Sequence, residues 1–412
     1  MSSLTFSNTL SPFAIVNTLF LFPSEWIFME QGQPKYSFVE NQQDLDKLAV
    51  QLEKEPAIGV DLEADSMYHY REKVCLLQVS SPTSNILVDT LAVRDLSALE
   101  NIFADNRIRK IFHGADYDIR SLHRDFKLSV NSLFDTQIAA RFLGLKEAGL
   151  ADLLRARLGV TIKKKYQKED WSQRPLPEAM LTYAVMDSLY LIPLARMLEG
   201  ELKQKGRLSW AEEECRIQSQ VRSANNQETP LFLKFKGAGK YDARSLAVLE
   251  AILKFREKVA EKRDRPPFKV LGNPAIMALV EEKPVTLKAL RTIKGIGDRQ
   301  KKALGGPLIQ NIQKALSLSG DGLPAYPKNK RRSFDPNISR RVKALKTWRQ
   351  KCAQAWTMEP GFICNNVLIQ AIADGNPKDP EDLQKIEAMR NWQMKAFGQE
   401  ICSFLVNMGK TG

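Results

Sequence analysis

The chain reads as a mixed α/β domain followed by two copies of one all-helical module. Three observations predict this. Short β-branched and aliphatic runs occur in the first half only, the second half repeats itself at a spacing of 93 residues, and the charge changes sign between the halves. At 412 residues the chain exceeds the usual ceiling for one domain, so each part needs its own core.

Between residues 36 and 114, "IGVDLEA", "KVCLLQVS", "SNILVDT" and "RKIFHG" read as strands separated by turn residues. Helical periodicity interleaves with them and then takes over, in "QDLDKLAVQLEK", "YDIRSLHRDF", "TQIAARFLG" and "GLADLLRARLG". A longer helix is expected over "LPEAMLTYAVMDSLYL", with Pro177 in its first turn and a kink at Pro193. Beyond about residue 205 no stretch reads as a strand. A gapless shift of 93 residues pairs Arg256 with Arg349, Pro267 with Pro360, Asn273 with Asn366, Gln300 with Gln393 and Gly305 with Gly398. Two modules therefore occupy 240–318 and 335–412, joined by a basic linker over 319–334, "SGDGLPAYPKNKRRS" at its core. The remaining expected divisions are an extension over 1–30, the α/β domain over 31–205 and a connecting segment over 206–239.

The extension carries the apolar run "FAIVNTLFLF" between Pro12 and Pro23, with no Lys or Arg before Lys35. That is neither a secretory leader nor a membrane span, and it reads as a poorly ordered segment, or as residues upstream of a true start at Met29. Five cysteines stand far apart without a CxxC, and the three histidines all lie in the first third, which excludes a zinc site of familiar spacing and fits a reducing, cytosolic compartment. Residues 1–205 hold a net charge of −3 and residues 206–412 a net of +16. Such a split suggests a polyanion held by the second half while chemistry happens at the first; the plainer alternative is that Lys and Arg solubilise a helical surface.

The chemistry is read from three segments. In "GVDLEADS", Asp61 and Glu63 share one face of a strand, about 6–7 Å apart, an arrangement that needs either an exposed face or a cation between them. In "KIFHGADYDIRSL", Asp116 and Asp118 fall near a helix N-terminus, where Asp116 suits a capping role. In "YAVMD", Tyr183 and Asp187 lie four apart on one helix face, a spacing that alone would suit a core tyrosine.

In the order DxE, Asp, YxxxD, these segments resemble the three motifs of the DEDD superfamily of 3′–5′ exonucleases, in its tyrosine-containing branch; the other branch has His where Thr182 stands. The stretches "VCLLQVS", "IFHGADYDI", "LFDTQIAARFLG", "YQKEDWSQRPL" and "YAVMDSLYLIPL", within 36–205, are similar to the ribonuclease D family. The helical modules resemble the helicase-and-RNase-D C-terminal (HRDC) domain, through "LEAILKFREKVAEKRDRPPFKVLGN" and "LKALRTIKGIG". The second copy departs from it: Asp298-Arg299 becomes Asn391-Trp392 and "IKGIG" becomes "IEAMR", which leaves its nucleic-acid binding open.

The resemblance implies a ribonuclease H-like mixed sheet followed by two helical bundles. It implies that Asp61, Glu63, Asp118 and Asp187 hold two divalent cations, Mg²⁺ or Mn²⁺, with Tyr183 orienting the attacking water. The activity implied is that of a cytoplasmic 3′–5′ exoribonuclease releasing 5′-mononucleotides from RNA, tRNA precursors with 3′ extensions above all, with no membrane and no obligate protein partner. A DNA exonuclease and an inactive nucleic-acid-binding adaptor are the alternatives, while the charge split disfavours a small-molecule hydrolase. Around the acids, Gln78 either reaches the terminal nucleotide or faces solvent, and His113 is structural or a competing base. Trp171 either stacks a base or fills the core, and Lys163, Lys164 and Lys165 either touch phosphates or form a solvated loop.

Overall fold

A computed structural model of the chain describes residues 29–30, 33–163, 165–223, 229–327 and 335–410. The expectation for residues 1–28, and the one for Lys164, lie outside the described residues.

In chain order the first half contains β1 (Met29–Glu30), β2 (Gln33–Pro34), β3 (Ser37–Val39), α1 (Gln42–Leu52), β4 (Ala57–Ala64), β5 (Val74–Ser80), β6 (Asn85–Asp89), α2 (Glu100–Ala104) and β7 (Arg109–Phe112). There follow α3 (Asp116–Phe126), β8 (Leu133–Asp135), α4 (Thr136–Phe142), α5 (Leu150–Leu158), α6 (Glu178–Leu189), α7 (Leu191–Gln204) and α8 (Leu208–Gln218). Six strands form one sheet in the order β3-β6-β5-β4-β7-β8, in which β5 runs antiparallel to both neighbours and every other pair is parallel. β1 and β2 pair apart from it as a two-stranded ribbon. The four strands read from the sequence are all present. β3 and β8 are three residues each, too short for alternation to reveal them.

Alternation along β4 sorts the site from the core. Ile58, Val60 and Leu62 pack with Leu45, Leu48 and Leu52 of α1 on one face, while Gly59, Asp61 and Glu63 point to the other, beneath α6. A Cβ at Gly59 would sit 2.8 Å from the Ser188 carbonyl oxygen, so glycine is what allows α6 to lie directly on the strand. Ser80 and Ser188 pin the same contact through their hydroxyls, 2.7 Å apart. The expected single helix is two: the break comes at Tyr190, and Pro193 falls in the first turn of α7, where its missing N–H costs nothing. Pro177 precedes the first turn of α6, as its N-cap residue. Within the connecting segment, α8 packs into the α/β domain, with Cys215 buried there and its sulfur 3.2 Å from the Asp135 amide.

The helical modules are α9 (Ala243–Arg263), α10 (Pro267–Val270), α11 (Asn273–Glu282), α12 (Leu287–Thr292) and α13 (Asp298–Leu316), then α14 (Pro336–Ala355), α15 (Pro360–Ile363), α16 (Asn366–Gly375), α17 (Pro380–Gln384) and α18 (Asn391–Lys410). The 93-residue shift carries α10 onto α15 and α11 onto α16 residue for residue. The repeated identities have repeated jobs. The Gln300 amide donates to Val270 O and that of Gln393 to Ile363 O, at 2.9 and 3.0 Å. Arg256 reaches Asn273 as Arg349 reaches Asn366. Gly305 and Gly398 leave room for Leu290 and Leu383. No strand occurs past residue 205 among the described residues.

The two modules attach differently. The first keeps its own apolar core, against which Tyr70 packs, and meets the α/β domain mainly through polar contacts: His69 Nδ1 lies 2.7 Å from Asp264, the Tyr70 amide donates to the same carboxylate, Arg71 pairs with Glu261, and Lys269 lies 4.5 Å over the Tyr68 ring. The second shares one continuous core with α4, α7 and α8.

Candidate active site

Three elements converge on one face of β4. The strand supplies Asp61 and Glu63, and α6, held down by Gly59, supplies Tyr183 and Asp187 one turn apart. Carboxylate oxygens of Asp61, Glu63 and Asp187 lie within 4.8 Å of one another. Asp118 arrives from the first turn of α3, whose entry is fixed by Asp135: its carboxylate accepts from the Gly114 and Ala115 amides at 2.9 and 2.8 Å and also caps α4. Asp116, its neighbour, caps nothing; it pairs with Arg120 one turn on. Asp135 escaped the sequence reading because an acid after a short strand looks like an ordinary helix cap.

The electrostatics follow from crowding. Burial first, then the charges of Asp187 and Asp118, hold Asp61 and Glu63 well above the usual carboxylate range. Burial with Asp135 and Asp116 pushes Asp118 up to about 8, and burial raises Asp187 to about 7 although the Tyr183 hydroxyl donates to it. The Tyr183 phenol is itself pushed well above its ordinary value by burial and by Asp187, so it stays protonated at neutral pH. None of the four carboxylates is ion-paired with a Lys or Arg among the described residues.

Gln78 sharpens this picture. It is the register partner of Asp61 on β5, it is fully buried, and neither atom of its amide has a hydrogen-bond partner among the described residues. It therefore does not face solvent, and an orphaned amide beside crowded acids fits a site completed by a bound group. The all-oxygen donor set suits a hard divalent cation.

The remaining candidates separate. Trp171 is 1 % exposed and packs 6.2 Å from the Tyr183 ring, so it fills the core under the phenol and offers no face to a base. It is held there by Arg174, which accepts no freedom of its own: its guanidinium bonds Asp89, Cys75 O and Trp171 O. Tyr166, edge-on to Tyr183 at 5.7 Å, is a further support that the sequence reading missed. His113 donates from Nδ1 to Thr136, whose own hydroxyl is committed to Phe112 O, and burial lowers its pKa, leaving a neutral ring on the wall of the site. Asp61, Glu63, Tyr183 and Asp187 line a cleft of about 340 Å³ together with His113 and Lys163. Lys163 and Lys165 also line a side arm that opens past Tyr183.

Comparison with known proteins places this geometry. The 3′–5′ exonuclease family matches residues 36–203, and the HRDC domain family matches 245–312 and 339–405. A ribonuclease D from Gluconacetobacter diazotrophicus is 27% identical over 374 residues, covering 90% of this chain and 92% of its own. The chain therefore carries a 3′–5′ exonuclease domain followed by two HRDC domains, and it is similar to ribonuclease D over nearly its whole length. Protein RRP6-like 2 of Arabidopsis thaliana is 31% identical over 307 residues, which cover 71% of this chain but only 34% of that longer protein. The fold of Escherichia coli RNase D matches with a TM-score of 0.68 and 24% identity over 90% of this chain and 99% of the other. The ribonuclease D architecture, a mixed sheet with its helices and then two HRDC bundles, is thus the one described above. No helix among the described residues is long and apolar enough to cross a membrane.

Proposed function

We propose that this site removes nucleotides one at a time from the 3′ end of RNA and releases 5′-mononucleotides, with tRNA precursors carrying 3′ extensions among its substrates. The observation that carries the reading is the convergence of Asp61, Glu63 and Asp187 within 4.8 Å, with the Tyr183 hydroxyl on Asp187. The names of the relatives, a ribonuclease D and an RRP6-like protein, favour RNA over DNA.

Asp61, Glu63, Asp118 and Asp187 are the residues that would hold two divalent cations, Mg²⁺ or Mn²⁺. Such ions, when bound, lower the pKa of a water and offset charge on the phosphate under attack. Tyr183 keeps its proton, so its role is to hydrogen-bond and orient the water rather than to deprotonate it. Water oxygen joins phosphorus, the P–O3′ bond breaks, the phosphate leaves on the 5′ carbon of the released nucleotide, and the shortened strand keeps a 3′ hydroxyl. His113, neutral and tied to Thr136, shapes the wall.

The test is RNA labelled at either end, with matched DNA, in Mg²⁺, Mn²⁺ or EDTA. The 3′ label should appear at once as mononucleotide, the 5′ label should report a shortening ladder, and EDTA should abolish both. Cleavage that survives EDTA, or DNA degraded as fast as RNA, would overturn the reading.

A further inference from the structure

Beside the acid cleft lies a groove of about 630 Å³ between the exonuclease domain and the second HRDC module, and Gly149 lines both. One wall is Gln137, Arg141 and Lys146 of the exonuclease domain, and the other is Gln354, Thr357 and Glu359 of the second module. At the near end Gln137 abuts Gly114, the turn that delivers α3 and Asp118, and the charge of Arg141 reaches His113.

The groove is preformed. A Cβ on Gly144, whose φ is +82°, would lie 1.8 Å from the Thr357 carbonyl oxygen, so the two domains meet backbone to backbone on its floor. Arg207 ties them by donating to Phe142 O and Trp356 O, both at 2.8 Å. Arg141 stacks over Phe362 of the second module at 5.3 Å, which aims its guanidinium along the junction. Arg141 and Lys146 are exposed, and neither is ion-paired with a described carboxylate.

We propose that this groove is the subsite for the phosphates of the RNA strand on the 5′ side of the bond being cut, with Arg141 and Lys146 as its cations. The assignment rests on the exonuclease reading above and gives the second HRDC module a part in binding substrate: it supplies the far wall and the aromatic platform under Arg141. A strand whose last nucleotide sits among the acids must leave the cleft by one of its openings. The side arm past Tyr183 also carries two lysines, but only the groove is walled by both domains, and its Arg141 and Lys146 have no ion pair among the described residues.

The test compares a dinucleotide, too short to fill the groove, with an eight-nucleotide single-stranded RNA in the full-length protein. The double substitution Arg141→Gln, Lys146→Gln should raise KM for the longer RNA about tenfold and that for the dinucleotide less than twofold. Two lost phosphate contacts should also make the dependence of log affinity on log salt shallower by about 1.4. Glu359→Lys, on the opposite rim, should act in reverse and lower KM for the longer RNA, a gain that misfolding cannot imitate. Equal changes for both substrates would overturn the proposal, as would a larger effect of Lys163→Gln, Lys165→Gln in the side arm. If the unaltered protein cuts neither RNA, the exonuclease reading itself fails, an outcome distinct from these.

Discussion

The two HRDC modules share a frame and differ in what their surfaces do. In the first, Arg263, Lys269 and Arg299 are exposed; at the equivalent positions the second has Trp356, Phe362 and Trp392. These aromatics meet the exonuclease domain. Trp392 stacks on Trp210 with ring centres 4.9 Å apart, and Phe142 meets both Trp392 and Phe362 edge to face. The change of Asp298 to Asn391 has a matching cause, because Glu213 of α8 accepts from the amides of Asn391 and Trp392, and a second carboxylate at that helix start would repel it. Glu214 then takes the Trp392 indole N–H and pairs with Arg390. Where the first repeat presents charge the second presents aromatic rings to the exonuclease domain, and the comparison teaches that departures from a repeat can mark an interface as clearly as identities mark a core.

Chemistry should be separable from both modes of attachment, and Asp61→Asn is the largest expected effect. It should lower kcat by at least about 10³-fold, roughly 4 kcal/mol, without lowering the Tm of the metal-free protein, because it relieves repulsion. A Tm loss would mean that Asp61 also holds the modules in place. Trp392→Ala comes next. It removes a buried aromatic anchor and should cost about 3–5 kcal/mol by denaturant unfolding, while Arg299→Ala at the equivalent site of the first module should stay within about 0.5 kcal/mol. Similar losses at the two sites would erase the contrast.

Removing divalent ions probes the site that lies between the two attachments. Asp118 and Asp187 titrate in the fold at about 8 and 7, above their ordinary 3.8, so the folded state holds protons that the unfolded chain has released. Metal-free stability should therefore be greatest near pH 4, fall as pH rises to about 8 and then level off. Mn²⁺ should raise Tm more at pH 8 than at pH 5, and an equal rise at both would contradict the crowded-acid account. The smallest effect belongs to the first module's polar attachment. Asp264→Ala removes the His69 and Tyr70 contacts, all at an exposed surface, and should cost under about 1 kcal/mol. Hydrogen exchange in α9 should quicken without a matching change in α14, and high salt should mimic the substitution.

Much of this molecule was legible along the chain. Asp61 and Glu63 stood out because polar residues interrupt an apolar strand, and Tyr183 and Asp187 because helical spacing sets them on one face. The repeat was legible because Gln300, Gly305 and their counterparts serve the same contacts in both modules. Gln78 and Trp171 were not, since a polar residue or an indole in a mixed run carries no sign of which way it faces until the helix above it is placed. Asp135 and Arg174 were invisible for a related reason: their partners, Gly114 and Asp89, are 21 and 85 residues away.

By itself the chain determined its alternation of strands and helices, its duplicated module and the residue types of its acid cluster, because periodicity and spacing are local properties of the backbone. Only the tertiary structure decided that Gln78 lies beside Asp61 with no partner among the described residues, that the second module shares a core with the exonuclease domain, and that a groove carrying Arg141 and Lys146 lies along that junction. Those features depend on residues brought together from separate elements, across more than a hundred positions for the shared core and the groove, where burial and charge are set by neighbours that no local pattern records.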